Sequence, residues 1–283
     1  MKHLHQLTRM LTCSLLLSGL VAHAAPSTRV QGSALAPYGN SADETTDWIP
    51  GETVAADSSG SAWGDARYVA EARYGSLHVF AQASTARIEP YYGSGPLQAI
   101  ASASAFVRDT LTFAAAAGTQ WVELELTLSL HGVLVGDGQS RGQLEAQVFG
   151  SGLLPLPGQS YGGLDTSLYY GAFANGKTDK PVMTRRYVVQ ANTAIDINYS
   201  LSAIAVAEPF NPLAGVLDGS YATADGSHTA SVHIKVLTPG ATLLAESGAS
   251  YAPVPEPATL WLGLIGVAAL ALRRMHEVTT ARG

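Results

Sequence analysis

Between residues 120 and 131 leucine and valine recur at every second position. Val122, Leu124, Leu126, Leu128 and Leu130 alternate with Trp121, Glu123, Glu125, Thr127, Ser129 and His131. A helix at 3.6 residues per turn would scatter these leucines around its circumference; a strand puts them all on one face. One dry face and one wet face predict an antiparallel sheet covered on a single side. The same period recurs elsewhere. Residues 67–74 and 77–84 flank Gly75-Ser76, a Gly-first turn signal, and predict a hairpin. Residues 97–113 alternate small apolar Ala99, Ala101, Ala103, Ala105 and Val107 with Ile100, Ser102, Ser104, Phe106 and Arg108. Alanine is a weak strand former, but the alternation outweighs propensity.

Further strands are predicted over residues 143–149, 182–190 and 194–207. Asp225-Gly226 separates residues 220–224 from 228–237 and predicts a second hairpin. Residues 242–245 close the series. Residues 25–64, interrupted by Pro26, Pro37 and Pro50, read as an irregular lead with room for one edge strand. Residues 151–179 read as a long Gly- and Tyr-rich excursion. No stretch of the body sustains a helical period. Some ten short strands with glycine turns predict an all-β fold, an antiparallel two-sheet β-sandwich of jelly-roll type spanning residues 65–250. The alternative is an up-and-down outer-membrane barrel, which needs an outward apolar band and aromatic girdles that the sequence lacks.

Both ends carry a different pattern. Lys2, His3 and Arg9 precede an apolar run from Met10 to Val21, followed by Ala22-His23-Ala24. Charged start, apolar middle and small-x-small end predict a secretory signal peptide over residues 1–24, cleaved before Ala25. The Sec translocon is then a partner. The single cysteine, Cys13, falls inside this peptide, so the exported chain relies on an ordinary core instead of disulfides. At the other end, Pro253, Pro255 and Pro257 forbid helix or central strand and make an extended linker. Residues 258–272 are uncharged. As a helix they would reach about 22 Å, against about 30 Å of hydrocarbon for a comfortable span. They predict one short C-terminal transmembrane helix, stopped by Arg273 and Arg274, which stay on the cytoplasmic side.

Val254-Pro255-Glu256-Pro257-Ala258-Thr259, the apolar run after it and the Arg273-Arg274 pair resemble the PEP-CTERM sorting signal of bacterial exosortase substrates. The order and C-terminal position of the three parts make the signal specific, although residues 275–283 continue past the arginines. The resemblance implies an exosortase acting near residues 254–257 and a transient membrane anchor. It also implies a Gram-negative producer with an exopolysaccharide locus, and a final place at the cell surface or in the extracellular matrix. It covers residues 251–283 and is silent on the body.

The body offers little chemistry. Residues 25–272 carry 11 basic and 21 acidic side chains, a net of −10. A scattered acidic surface excludes a nucleic-acid partner, which needs a basic stripe. No cysteine nucleophile survives export. Glu123 and Glu125 stand about 6.6–7 Å apart along one strand face, a spacing compatible with glycoside hydrolysis but equally that of a solvated face. His228 and His233, five apart, fall on opposite faces and share no metal. Asp137-Gly138, Asp218-Gly219 and Asp225-Gly226 read as turns, not calcium loops. No cofactor or metal is expected. Tyr161, Tyr169 and Tyr170, with Trp48 and Trp63, are candidate stacking rings for sugar. The expectation is a non-enzymatic structural or adhesive surface protein of a biofilm or exopolysaccharide matrix. The alternatives are a carbohydrate-binding module using the Tyr161–Phe173 loop and, less favoured, a secreted glycan-active enzyme.

Overall fold

The computed structural model describes residues 25–87, 97–137, 139–156, 164–170, 182–213, 216–226 and 230–252. The predicted signal peptide, the linker and the apolar C-terminal segment lie outside these residues. Compact packing groups the chain through Tyr251 as one unit and residues 252–283 as a second. Among the described residues every regular element is a strand, and no helix is long and apolar enough to cross a membrane.

In chain order the strands are β1 (Ser27–Leu35), β2 (Ser41–Thr45), β3 (Thr53–Ser61), β4 (Gly64–Arg73), β5 (Ser76–Thr85) and β6 (Ala99–Ala114). There follow β7 (Trp121–Leu130), β8 (Val133–Gly136), β9 (Arg141–Gly150), β10 (Leu154–Pro155), β11 (Leu164–Tyr170) and β12 (Val182–Gln190). The last six are β13 (Ala194–Ala207), β14 (Phe210–Leu213), β15 (Val216–Asp218), β16 (Tyr221–Asp225), β17 (Ala230–Val236) and β18 (Thr242–Ala245). All pairings are antiparallel. One sheet runs β11-β9-β13-β6-β1-β2, with β18 continuing the β1 edge of β6. The other runs β10-β12-β7-β17-β5-β16-β8, with β4 on the far edge of β5 and β3 outside it. β14 and β15 pair only with each other.

The two sheets close on one apolar core, as a sandwich and not as a single closed barrel. Val122, Leu124, Leu126, Leu128 and Leu130 of β7 are all buried, and so are the odd-numbered residues of β6 from Ala99 to Val107. The alternation therefore translates directly into burial. Much of the core is alanine, and that choice has a steric consequence. Small inward residues let the sheets approach and leave room for a few large rings, chiefly Tyr68, Tyr187, Tyr199 and Tyr251. Tyr68 lies over Gly32, where an added Cβ would sit 2.1 Å from two ring carbons. Glycine is required there by the ring, not by the backbone.

Four sequence expectations are corrected. First, residues 25–64 hold three strands, and β1 is an interior strand between β6 and β2. Its inward positions are Val30, Gly32 and Ala34, too small to make a visible hydrophobic alternation; Pro26 precedes β1, and Pro37 and Pro50 fall between strands. Second, the first hairpin turns on Tyr74-Gly75, since Arg73 pairs with Ser76; Gly75 occupies the second turn position at φ +84°. Third, Asp225-Gly226 does not turn the chain. β16 and β17 lie end to end along the same edge of β5, and the Gly226 amide donates to the Val79 carbonyl at 2.8 Å. A Cβ on Gly226 would meet Val79 and Leu144 side chains at 3.0 and 3.1 Å, so the glycine serves close packing. Fourth, the 151–179 excursion contains β10 and the seven-residue β11, an edge strand on β9.

Candidate functional site

The body is sealed immediately before the C-terminal linker. β18 pairs with the end of β6, and the Glu246 amide donates to Thr110 O at 2.9 Å. Gly248, at φ +75°, then turns the chain, and Ile234 N donates to Tyr251 O at 2.7 Å. Asp109 is the anchor. It occupies an inward position of β6 and is 0% exposed. An ionised carboxylate there requires donors on all sides. Thr110 N (2.8 Å), Ser247 N (3.2 Å), Ser247 Oγ and Tyr251 Oη (2.8 Å) supply them. The Tyr251 ring meets Tyr199 edge-on at 6.3 Å and 90°. Tyr199 Oη in turn accepts from Gly75 N and donates to Arg73 O at 3.5 Å. Burial, first of all, pushes both phenols well above their usual range; the Asp109 charge adds to this. Both hydroxyls therefore stay protonated donors. A strap of ten residues is thus pinned to a carboxylate more than 130 positions upstream.

The sequence-proposed groups fall as follows. Val254, Pro255, Glu256, Pro257, Arg273 and Arg274, with Ala22 and Ala24, lie outside the described residues; Ala25 is the first described residue and is exposed. Tyr161 and Phe173 also lie outside. Tyr169 and Tyr170 belong to strand β11, in register with Gln143 and Gly142, not to a free loop. Glu123 and Glu125 each face Arg186 of β12 at 3.7 Å, a cross-strand ion-pair ladder on a solvated face. His78 and His233 bond to Ser76 and Ser231 of their own strands at 2.9 and 3.2 Å. Asp137 caps a turn, accepting from Tyr221 N at 2.9 Å and Ser140 Oγ at 2.9 Å. Among the described residues no group of three or more His, Cys, Asp or Glu is placed to hold a metal.

One cleft brings together residues that sequence reasoning left apart. On the outer face of the first sheet, Trp48, Phe106, Arg108, Phe149, Asn198 and Ser200 line a cavity of about 290 Å³. Register explains the grouping: Asn198 of β13 pairs with both Arg108 and Phe149, and Ser200 pairs with Phe106. The Thr28–Ile49 bridge (N to O 2.7 and 3.0 Å) holds Trp48 over this row. Its ring meets Phe106 at 6.4 Å and 63°, and the Arg108 guanidinium lies over it, 4.5 Å from its centroid. Arg108 Nε donates to Asn198 Oδ1 at 3.2 Å. Trp48 was marked from sequence as a stacking ring. Its partners were not, although outward aromatics on otherwise Ser- and Gln-rich strand faces are a readable signal.

A family model decides the C-terminal segment. Residues 253–274 match the PEP-CTERM protein-sorting motif. The motif implies an exported protein that is anchored at the membrane and processed by an exosortase. The match includes the whole set of prolines, the apolar run and the arginine pair named above. No curated protein matches the chain.

Proposed function

We propose that this chain is a non-enzymatic surface protein whose β-sandwich is displayed in an exopolysaccharide or biofilm matrix after an exosortase has cut near residues 254–257. The observation that carries the reading is where the fold stops. Tyr251 is buried and bonded to Asp109, while the sorting motif begins at residue 253. Among the described residues, the contacts that close the sandwich are made upstream of the motif, so cleavage in the proline linker is expected to leave the body intact. Pro253, Pro255 and Pro257 disfavour helix and central strand, so an extended, accessible cleavage segment is expected there. The acidic, sparsely charged body is suited to remaining soluble outside the cell. In this reading residues 258–272 are a temporary anchor, and the signal peptide feeds the Sec translocon.

Mass spectrometry of the protein recovered from the surface or matrix fraction tests this directly. The expected C-terminus lies within residues 254–257. Recovery of chains still ending beyond Arg274 would rule the processing out. A second reading, a carbohydrate-binding module, is favoured by the aromatic cleft on the first sheet more than by the Tyr161–Phe173 segment, because the cleft gathers rings and polar groups in one place.

A further inference from the structure

We propose that the cleft between Trp48 and Phe149 binds a carboxylated polysaccharide, with Arg108 holding the carboxylate. The proposal rests on the reading of the body as an exported protein and supplies its partner. Three features of the site converge.

The first is the state of Arg108. Arg73, Arg87, Arg141 and Arg186 each face a carboxylate, at distances from 2.6 to 3.7 Å. Arg108, like Arg29 and Arg67, makes no ion pair with any described residue. Its guanidinium is nonetheless held in place, by the Trp48 face on one side and Asn198 Oδ1 at Nε. No described residue bonds the two η nitrogens, which leaves their N–H groups for a carboxylate. Because the side chain is already ordered, little rotamer entropy is lost when a ligand arrives.

The second is the mixture of surfaces. Phe149 is 51% exposed, an apolar ring open to solvent beside the amide of Asn198 and the hydroxyl of Ser200. Rings flanked by hydroxyls and amides suit a sugar, which has one apolar face and a polar edge. An acidic peptide would satisfy Arg108 but would leave Phe149 and the serine row unused.

The third is the continuation of the face. A second cleft of about 260 Å³ lies further along β13, lined by Arg141, Gln143 and Ile204. From Asn198 to Ile204 is about 20 Å at the usual strand rise, a length that fits an extended oligosaccharide. Ser202, bonded to Ser104 at 3.0 Å, lies between. Glu145 also lies on this run, its carboxylate taken by Gln143 Nε2 at 3.3 Å and by Gln147 Nε2. The acid places the ligand's negative group at the Arg108 end. The protein's net negative charge opposes an anionic ligand only weakly, since it is screened beyond about 8 Å at physiological salt.

The test is isothermal titration of the full chain in detergent micelles with oligogalacturonate, a neutral gluco-oligosaccharide and dextran sulfate. The expected result is binding of oligogalacturonate, no binding of the neutral sugar, and at least a tenfold loss for Arg108→Gln and for Phe149→Ala. Melting curves accompany both variants; if Arg108→Gln folds poorly, Phe149→Ala decides, because its side chain is half exposed. Failure to bind oligogalacturonate, equal binding of the neutral sugar, or undiminished binding by Phe149→Ala would overturn the proposal. So would dextran sulfate binding as tightly and insensitively to Phe149→Ala, which would mean charge capture alone. None of these outcomes touches the processing reading, which the C-terminal mass decides separately.

Discussion

Tyr251→Phe is the sharpest probe of how the body is closed. The substitution keeps the ring, its edge contact with Tyr199 and its burial, and removes one hydroxyl. That hydroxyl donates to Asp109 Oδ2 at 2.8 Å, and Asp109 has no exposure through which water could replace it. A hydrogen bond to a charged group is worth about 1.5–3 kcal/mol. Thr110 N and the two Ser247 donors remain, so the carboxylate is under-served and not orphaned. For a body of this size 1 kcal/mol moves the melting midpoint by about 2–4 °C, so the expected fall is about 3–12 °C. Tyr251→Ala adds the loss of a buried ring, which costs about 3–5 kcal/mol where the strap cannot collapse into the gap. The strap is short and terminal, so it is expected to detach locally before the sandwich melts. Amide exchange in β18 and at Ser247 should then accelerate. Thermal melts and hydrogen exchange read the two effects separately, with Tyr38→Phe, at a 69% exposed tyrosine, as the control. An unchanged midpoint for Tyr251→Phe, together with unchanged exchange across the strap in Tyr251→Ala, would refute the view that Asp109 anchors the C-terminal end.

Other expectations follow from the same packing. Gly32→Ala drives a methyl into the Tyr68 ring and is expected to destabilise by at least about 1–3 kcal/mol, read as a lower denaturant midpoint; restoration by a second change, Tyr68→Leu, would identify the ring as the cause. Tyr68→Phe removes a buried hydroxyl that has no hydrogen-bond partner among the described residues, and the melting midpoint should stay level or rise. Alkaline stability has a definite sign. The folded phenols of Tyr199 and Tyr251 titrate above the unfolded value of about 10. Their neutral forms therefore favour the native state, fully below pH 10 and progressively less as pH rises above it. Urea midpoints between pH 8 and 11 should fall at the alkaline end, with a shallower fall in Tyr251→Phe. Leu126→Asp places a charge in the 0% exposed face of β7 and should abolish the cooperative transition.

Strand identity was legible where inward residues are large. The leucines of β7 and the Ile197-Tyr199-Leu201 row of β13 announce themselves, and all are buried. β1 was hidden because its inward residues are valine, glycine and alanine among serines, a pattern that looks like a loop until β6 is beside it. The apparent hairpin at Asp225-Gly226 failed for a related reason. An Asp-Gly pair permits a tight turn, but here β5 offers the same edge to both flanking runs, and both pair with it. The cleft was out of reach as a unit. Its residues lie between positions 48 and 200, and only the β9-β13-β6 register brings them into one row. The sorting segment needed no tertiary context, because its function depends on local stiffness, apolarity and charge.

Sequence by itself determined the all-β character, the single dry face of each long strand and the C-terminal sorting motif. All three are written in short-range pattern, in the period of side chains along an extended chain and in the order of proline, apolar and basic residues. Tertiary structure alone decided which strands neighbour which, and hence why Asp109 can be buried and where Arg108 is left without a carboxylate. Strand pairing is settled by burying whole faces against partners distant in the chain, so residues 109 and 251, or 48 and 149, acquire a common purpose only when the sheets close.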